Sequence, residues 1–463
     1  MENPSKPRLI LQQRLWKAGI ALALFVGTLV IGNVVLLSQS SARVVGLDFI
    51  AFYTAGAFVN DDRIHELYDL PAVATYQTQL AAGEGTDLEG GFGPWWNPPF
   101  YALVFAPLAK LSFASALHTW LAINIGCVVA SVVLLCRMFP RGAGWRAWGL
   151  VPLFTFISMP FLLTVTHGQN SGTSLLLLTL VVTAWRSNRP LLAGLVCGLL
   201  FYKPQLALIV AGVLVFSTGP LALAGVSMTL IALACVTIAT MPGAISDYIQ
   251  RLPENLNAMM VGHTYMWERH VTLRSFWRLL LQGREPGEAS LLTHTLTVLT
   301  CATTAVALGV CGIRFRVRDV YRNSSVHRDR LIAASIVAMP LLMPFYFDYD
   351  LLLLVVPVSL LAIELTSRST EAYRASEALA SDGALTITRT HWTLTERRAM
   401  RVIIALYAWL MIANHVTPHT HLNITVPLLA VFAWLFVRRA IRSVDDESAG
   451  IQTIQPAPSM AIA

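Results

Sequence analysis

A single carboxylate, Asp48, stands in the stretch GLDFIAFYTAG (46–56), just after a hydrophobic run long enough to cross a bilayer. Other polar residues break apolar surroundings in the same way. Lys203 sits in LLFYKPQLAL, His167, Gln169 and Asn170 share the turn HGQN, and Asp348 and Asp350 share FDYD. Trp95, Trp96 and Asn97 open WWNPPF, and one polar segment carries His263, Glu268, Arg269, His270 and Arg274. A carboxylate can take up a proton, lysine and arginine can hold an anion, and amides can bond hydroxyls through either oxygen or nitrogen. Each residue also has a plainer reading. Asp48 can be a solvated loop charge, Trp95 and Trp96 interfacial anchors rather than sugar platforms, and HGQN a polar hairpin cap with Gly168 supplying backbone freedom. Lys203 must either snorkel to the headgroups or pair with an anion.

The elements that position these residues follow from composition. Hydrophobic residues make up 55% of the 463 and charged residues 13%, with a mean hydropathy of +0.60, which excludes an ordinary soluble domain and implies an all-α polytopic membrane protein. The run Leu15 to Ser38 lacks a small-residue cleavage site before a polar domain and reads as a retained first span rather than a signal peptide. All six cysteines lie within or beside apolar runs, where Cys behaves as a small hydrophobe, and no disulfide is expected.

The net charge of +7 is not a nucleic-acid signature, because the basic residues cluster in short segments between apolar runs. Examples are Arg137, Arg141 and Arg146, the group from Arg314 to Arg330, and Arg438, Arg439 and Arg442. Such clusters mark the cytoplasmic side. Residues 39–98 carry two arginines against eight acidic residues and are expected to face outward. About twelve spans result: 15–38, 113–136, 147–166, 171–186, 189–202, 205–217, 221–241, 289–312, 331–346, 350–366, 400–414 and 424–437. Residues 1–14 and the mobile tail 438–463 are then cytoplasmic, and 15–437 form the transmembrane domain. Its longer outer loops are 39–98 and 242–288, its cytoplasmic loops 313–330 and 367–399, and the Ser- and Thr-rich stretch 367–395 resembles a linker.

This topology gathers Asp48, Trp95, Trp96, Asn97, the HGQN turn, Lys203, the 263–274 segment, the FDYD turn and His415, His419 and His421 at the outer face. Polar groups at membrane depth are costly unless they line a wet cavity or find partners, so an outward-facing cavity is expected. HVTPHTH lacks supporting carboxylates at ligand spacing, and no metal site is assigned to it.

In this order, GLDFIAFYTAG, HELYD, WWNPPFYALVFAPLAKLSF, HGQNSGTSLLLLTL, RPLLAGLVCGLLFYKPQLAL, HVTLRSFWRLL and MPFYFDYDLLLL resemble the polyprenol-phosphate-mannose-dependent mannosyltransferase-like proteins of glycosyltransferase family 87. These belong to the GT-C superfamily of membrane glycosyltransferases. The resemblance covers roughly residues 45 to 355. Asn97 departs from it, standing before the double proline where members usually carry a tyrosine or similar residue, which bears on sugar or acceptor preference more than on fold.

The resemblance implies a GT-C-type bundle with Asp48 as catalytic base, an inverting transfer, and a polyprenyl-phosphate sugar as donor. Lys203, Arg269 and Arg274 would hold the donor phosphate. His167, Gln169, Asn170, Trp96, Asn97, Asp348 and Asp350 would contact substrate. The acceptor would be a glycan, lipid or protein at the outer face of the cytoplasmic membrane, with both termini inside. No cofactor, metal or nucleic acid is implied, and no nucleotide-binding glycine loop is present. The rival readings are a twelve-span transporter or flippase and an inactive envelope-assembly partner with the same fold.

Overall fold

A computed structural model describes residues 47–84, 88, 91–140, 143, 145–381 and 393–442. The expected first span, 15–38, lies outside these residues, as do 1–14, 443–463 and the middle of the expected linker, 382–392. Among the described residues the secondary structure is helical, apart from one isolated antiparallel bridge between His270 and Phe347.

The apolar runs fold into helices close to their expected bounds, and proline sets several starts. Pro190, Pro204 and Pro220 each occupy the first turn of a helix: Pro190–Leu199, Pro204–Thr218 and Pro220–Thr240. There the missing N–H costs nothing and the fixed φ favours helix. Ser112 and Ser290 cap Phe113–Arg137 and Leu291–Val317 through their hydroxyls. Among the described residues five helices are long and apolar enough to cross a membrane, or six if the bent pair Ala147–Phe156 and Met159–Thr166 forms one span.

The expected twelve spans are therefore not all matched by full-length helices. Ser171–Arg186 has 16 residues and Pro204–Thr218 has 15. At 1.5 Å per residue such helices fall short of a hydrocarbon core of about 30 Å. The linker expectation also changes, because the helix beginning at Val355 runs on to Ser381. Its composition there, rich in Ala, Glu and Arg, favours helix.

Contacts sort the helix ends into two groups. At one end, Arg186 meets Asp329 (2.9 Å), Arg316 donates to the Phe216 carbonyl (3.2 Å) and Arg314 to that of Ile441 (3.3 Å). Here too Glu364 is gripped by Arg330 at 2.6 Å, Arg439 at 2.8 Å and Arg368, while Arg368 reaches Glu396 at 2.6 Å. At the opposite end lie Asp48, the HGQN turn, Lys203 and the FDYD turn.

The described parts of the 39–98 and 242–288 segments, expected as loops, contain substantial helix and cover that second end. Asp69 caps Leu70–Gly83, and Gln77 bonds both backbone groups of Gly93 at 2.8 Å. Ala244–Val261 joins the same layer, with Asn255 donating to the Tyr68 carbonyl (2.8 Å) and His65 pairing with Asp247 (3.0 Å). Beneath it Phe49, Phe52, Trp95, Tyr101, Phe105 and Trp120 form a compact aromatic core.

Helices Pro190–Leu199 and Pro220–Thr240 pack backbone to backbone. A methyl group at Gly194 would overlap the Ala222 carbonyl, and one at Gly225 would overlap the Leu191 carbonyl. Gly198 lies against Thr229, whose hydroxyl donates to the Leu195 carbonyl at 2.9 Å. The spacing of Gly194 and Gly198 is the small-residue arrangement that lets apolar helices approach closely in lipid. This contact fixes the helix that leads into Lys203. Gly194→Val should lower stability by about 1–3 kcal/mol through overpacking. Gly309→Ala, where a methyl meets nothing within 4 Å, should be neutral or stabilising by up to about 1 kcal/mol. Thermal unfolding of the purified protein in detergent checks both, and equal melting temperatures for the two variants would contradict the packing argument.

Candidate active site

Lys203 is the hinge residue between two helices. Because Pro204 follows, its backbone is excluded from the helical region, and it adopts φ −121° and ψ 83°. Its side chain is 7% exposed and its ammonium lies 2.8 Å from Asp350 Oδ1. The same oxygen accepts from Ser171 Oγ at 2.6 Å, and Tyr346 OH donates to the Asp350 carbonyl at 2.8 Å. The anion that pairs with Lys203 is thus a carboxylate of this chain. The junction ties the start of Ser171–Arg186 to the FDYD turn.

The HGQN turn presents its side chains in different directions. Gly168 takes φ +65°, a conformation open to glycine, and its carbonyl accepts from Trp120 Nε1 at 2.8 Å. Gln169 then reaches Asp48, donating from Nε2 to Oδ2 at 2.9 Å. Asp48 lies in the first turn of Leu47–Asn60 and is half-buried, a place where the helix dipole favours a carboxylate. Asn170 turns inward, is fully buried, and donates to Tyr101 OH at 3.3 Å. His167 Nδ1 lies 3.0 Å from the Leu163 carbonyl. Burial and the Arg269 charge lower the imidazole pKa, against the opposing pull of Asp48 and Asp348.

Arg269 belongs to a one-turn helix, Trp267–Arg269, held over the FDYD turn. Val271 N donates to the Tyr346 carbonyl at 2.8 Å, and Asn423 Nδ2 donates to the carbonyls of Glu268 (3.2 Å) and His270 (2.9 Å). The Arg269 guanidinium lies 3.3 Å from Asp348 Oδ1 and over the rings of Phe347 and Tyr349, at 5.6 and 5.7 Å. Burial disfavours its charge, yet Asp348 and Asp48 together hold its pKa above the ordinary value. One cation therefore lies in the field of two carboxylates and in contact with Asp348.

Asp48, Gln169, His167, Arg269 and Asp348 thus come together, with Lys203 and Asp350 paired alongside. Arg274 lies apart, stacked over Trp267 and Phe345 at 5.6 Å from each ring, and burial lowers its pKa. Trp96 is half-buried and Asn97 offers its carbonyl to Tyr68 OH at 2.7 Å, while Trp95 belongs to the aromatic core. Of the three histidines near 420, His415 and His419 lie on Leu394–Thr420, and His421 caps that helix at φ +58°. Among the described residues no group of three or more His, Cys, Asp or Glu side chains is gathered to hold a metal. Sequence reasoning gives Tyr349 only as a member of the FDYD turn and does not single out Ser171. Ser171 directly follows HGQN, and that adjacency is the available signal.

Among the described residues, a helical architecture with several membrane-length helices and a carboxylate and guanidinium cluster at one end of the bundle describes a multi-pass membrane protein with a polar site at the helix ends. Residues 95–344, more than half of the chain, match the family model of glycosyltransferase family 87, and the chain belongs to that family. It is accordingly a membrane glycosyltransferase. The match includes His167, Gln169, Asn170, Lys203, Arg269 and Arg274; Asp48, Asp348 and Asp350 lie beyond its bounds. No curated protein matches the chain, and no solved structure does.

Two consequences are measurable. Lys203→Met leaves the Asp350 carboxylate buried without its cation and should cost about 3–5 kcal/mol of stability, part of which Asp350→Asn in the same chain should restore. Thermal unfolding measures it, and an unchanged melting temperature for Lys203→Met would mean that the pair contributes nothing. The second concerns His270, which is buried with Tyr265 OH 2.8 Å from Nε2. Burial, then the charges of Arg269 and Arg274, push its pKa down to about 3 from 6.5. Between those values the unfolded chain binds a proton that the folded chain refuses, so stability is full above about pH 6.5 and falls as pH drops toward 3. His270→Gln should flatten the pH dependence of unfolding in that window; an unaltered slope would assign it to other groups.

Proposed function

We propose that this chain moves a hexosyl unit, with mannose the sugar the family resemblance favours, from a polyprenyl-phosphate donor to a hydroxyl of a glycan, lipid or protein at the outer face of the cytoplasmic membrane. The observation that carries this reading is the placing of two carboxylates around one guanidinium: Asp48, held by Gln169 at 2.9 Å, and Asp348, in contact with Arg269 at 3.3 Å, both act on the Arg269 charge. Membership of glycosyltransferase family 87 supplies the reaction class. A lipid-linked donor suits a chain of many apolar helices, since a polyprenyl tail can enter sideways between them.

In the transfer, the acceptor oxygen attacks the anomeric carbon as the bond to the phosphate oxygen breaks, and the acceptor proton passes to Asp48. The bond pair leaves on the polyprenyl phosphate, so that single displacement inverts the anomeric configuration. Charge grows on the departing phosphate, and a preorganised cation in a poorly hydrated site stabilises it. Arg269 is better suited than Lys203, whose charge is engaged by Asp350. A guanidinium fork also matches two phosphate oxygens. His167 lies within the electrostatic reach of Asp48, Asp348 and Arg269, and Gln169 holds the base in place.

Asp48→Asn keeps size and shape but removes the proton acceptor. Turnover should fall by at least ~100-fold, the scale of a general base, with donor binding nearly intact. The assay uses purified protein and a panel of polyprenyl-phosphate sugars. Transfer by Asp48→Asn at the wild-type rate would remove Asp48 from the role and turn attention to Asp348 and Asp350. The transport, binding or scaffold role of the rival readings would survive the same substitution.

A further inference from the structure

We infer that the Arg269–Asp348 ion pair is a place-holder exchanged on donor binding, and that the Asp348 carboxylate it releases accepts a hydrogen bond from a hydroxyl of the transferred sugar. This rests on the reading of the chain as a polyprenyl-phosphate-sugar transferase and assigns Asp348 a part in recognising the sugar.

Three observations lead to it. Asp348 is 5% exposed, and its Oδ1 takes both of the carboxylate's hydrogen bonds, from its neighbour's backbone, Tyr349 N, at 2.9 Å and from Arg269 at 3.3 Å. Its Oδ2 is covered and has no hydrogen-bond partner. A buried carboxylate oxygen left in that state is costly, and such an atom in a folded protein calls for an explanation. Second, the ion pair is loose. At 3.3 Å through one nitrogen it is well beyond the usual length of a charge-assisted bond and lacks the two-pronged geometry of a strong arginine–carboxylate pair. Third, the guanidinium rests over Phe347 and Tyr349. These ring faces attract a cation without fixing its direction in the plane, so Arg269 can slide without leaving a favourable surface.

An incoming phosphodiester offers Arg269 two oxygens in place of one. Once the guanidinium turns to them, the cover over Asp348 is withdrawn and its free oxygen needs a donor. The sugar attached to that phosphate brings hydroxyl groups to the same place, and a hydroxyl can donate to a carboxylate where a second anion cannot. Asp48 stays tied to Gln169. The two carboxylates around Arg269 then have separate partners, the acceptor hydroxyl for Asp48 and a sugar hydroxyl for Asp348.

The test measures binding to the purified full chain and to Asp348→Asn, using farnesyl phosphate, farnesyl phosphate mannose and each mono-deoxy analogue of the latter. The quantity compared is the affinity for each sugar donor relative to farnesyl phosphate within one variant, which is independent of the fraction of protein folded. Asp348→Asn should bind farnesyl phosphate as tightly as wild type or more so, because the competitor for Arg269 is weakened. Its preference for the mannosyl donor over farnesyl phosphate should drop about tenfold or more, the scale of a hydrogen bond to a charged group. One deoxy analogue should be insensitive to the substitution, identifying the hydroxyl. An unchanged preference, or an equal loss for farnesyl phosphate and every donor, would overturn the inference while wild-type donor binding left the transferase reading standing. Failure of the wild-type chain to bind any of these compounds would overturn both.

Discussion

The junction of Lys203, Ser171 and Asp350 is the constraint on which the site end of the bundle depends. Two hydrogen bonds, 2.8 and 2.6 Å long, converge on one buried carboxylate oxygen, and they join three segments separated by as many as 179 positions. A buried charge cannot stand alone at membrane depth, so the three segments must meet for any of them to be stable. Ser171 directly follows the turn that holds Gln169, and Asp350 ends the turn that holds Asp348. Pinning these two ends sets the distance between the group that orients Asp48 and the carboxylate that engages Arg269.

The glycine contacts deeper in the bundle serve the same geometry. Gly194, Gly198 and Gly225 let two helices meet along their backbones, and the first of them delivers Lys203 to its partner after one 3-10 turn, Leu200–Tyr202. Tyr202 then stacks on Tyr101 at 4.2 Å between ring centroids, and its hydroxyl meets Ser174 Oγ at 2.5 Å. Small residues thus bring the helices close, while aromatic stacking fixes where they end. At the opposite end the shared grip of Arg330, Arg368 and Arg439 on Glu364 draws together helices that begin at Ser325, Val355 and Thr425. Arginine suits such a shared site because its planar fork presents several donors at once.

Much of the helical layout was legible in the sequence, because an apolar run bounded by basic residues or proline has few other solutions in lipid. The partners were not. From sequence alone Lys203 is either a snorkelling side chain or an anion's partner, and no periodicity points from it to Asp350, 147 positions away. Asn170 and Gln169 are neighbours in one motif, yet they go to different partners, Tyr101 and Asp48, across a turn with φ +65° at Gly168 and a helix start at Ser171. Trp95 and Trp96 are adjacent in the sequence, although only the first is buried in the aromatic core. The 39–98 and 242–288 segments read as loops because their apolar residues are diluted by charge. Their helices rest instead on caps such as Asp69 and on contacts between the two segments.

Charge arithmetic assigns the two site cations different work. Lys203 and Asp350 cancel within the fold, as a pair with side chains 7% and 4% exposed, and breaking it would leave a buried charge uncompensated. Arg269 faces both Asp48 and Asp348, so its local set carries one more negative charge than positive. An anionic donor entering such a set gains little unless it takes the guanidinium for itself, and the guanidinium is the less securely held of the two cations, at 3.3 Å rather than 2.8 Å. A cation held loosely between two carboxylates is kept charged and near its place at little cost in reorganisation, which is what stabilising a developing anion requires. Lys203, tied to Asp350 at 2.8 Å, could turn to a donor only by leaving that buried carboxylate unpaired.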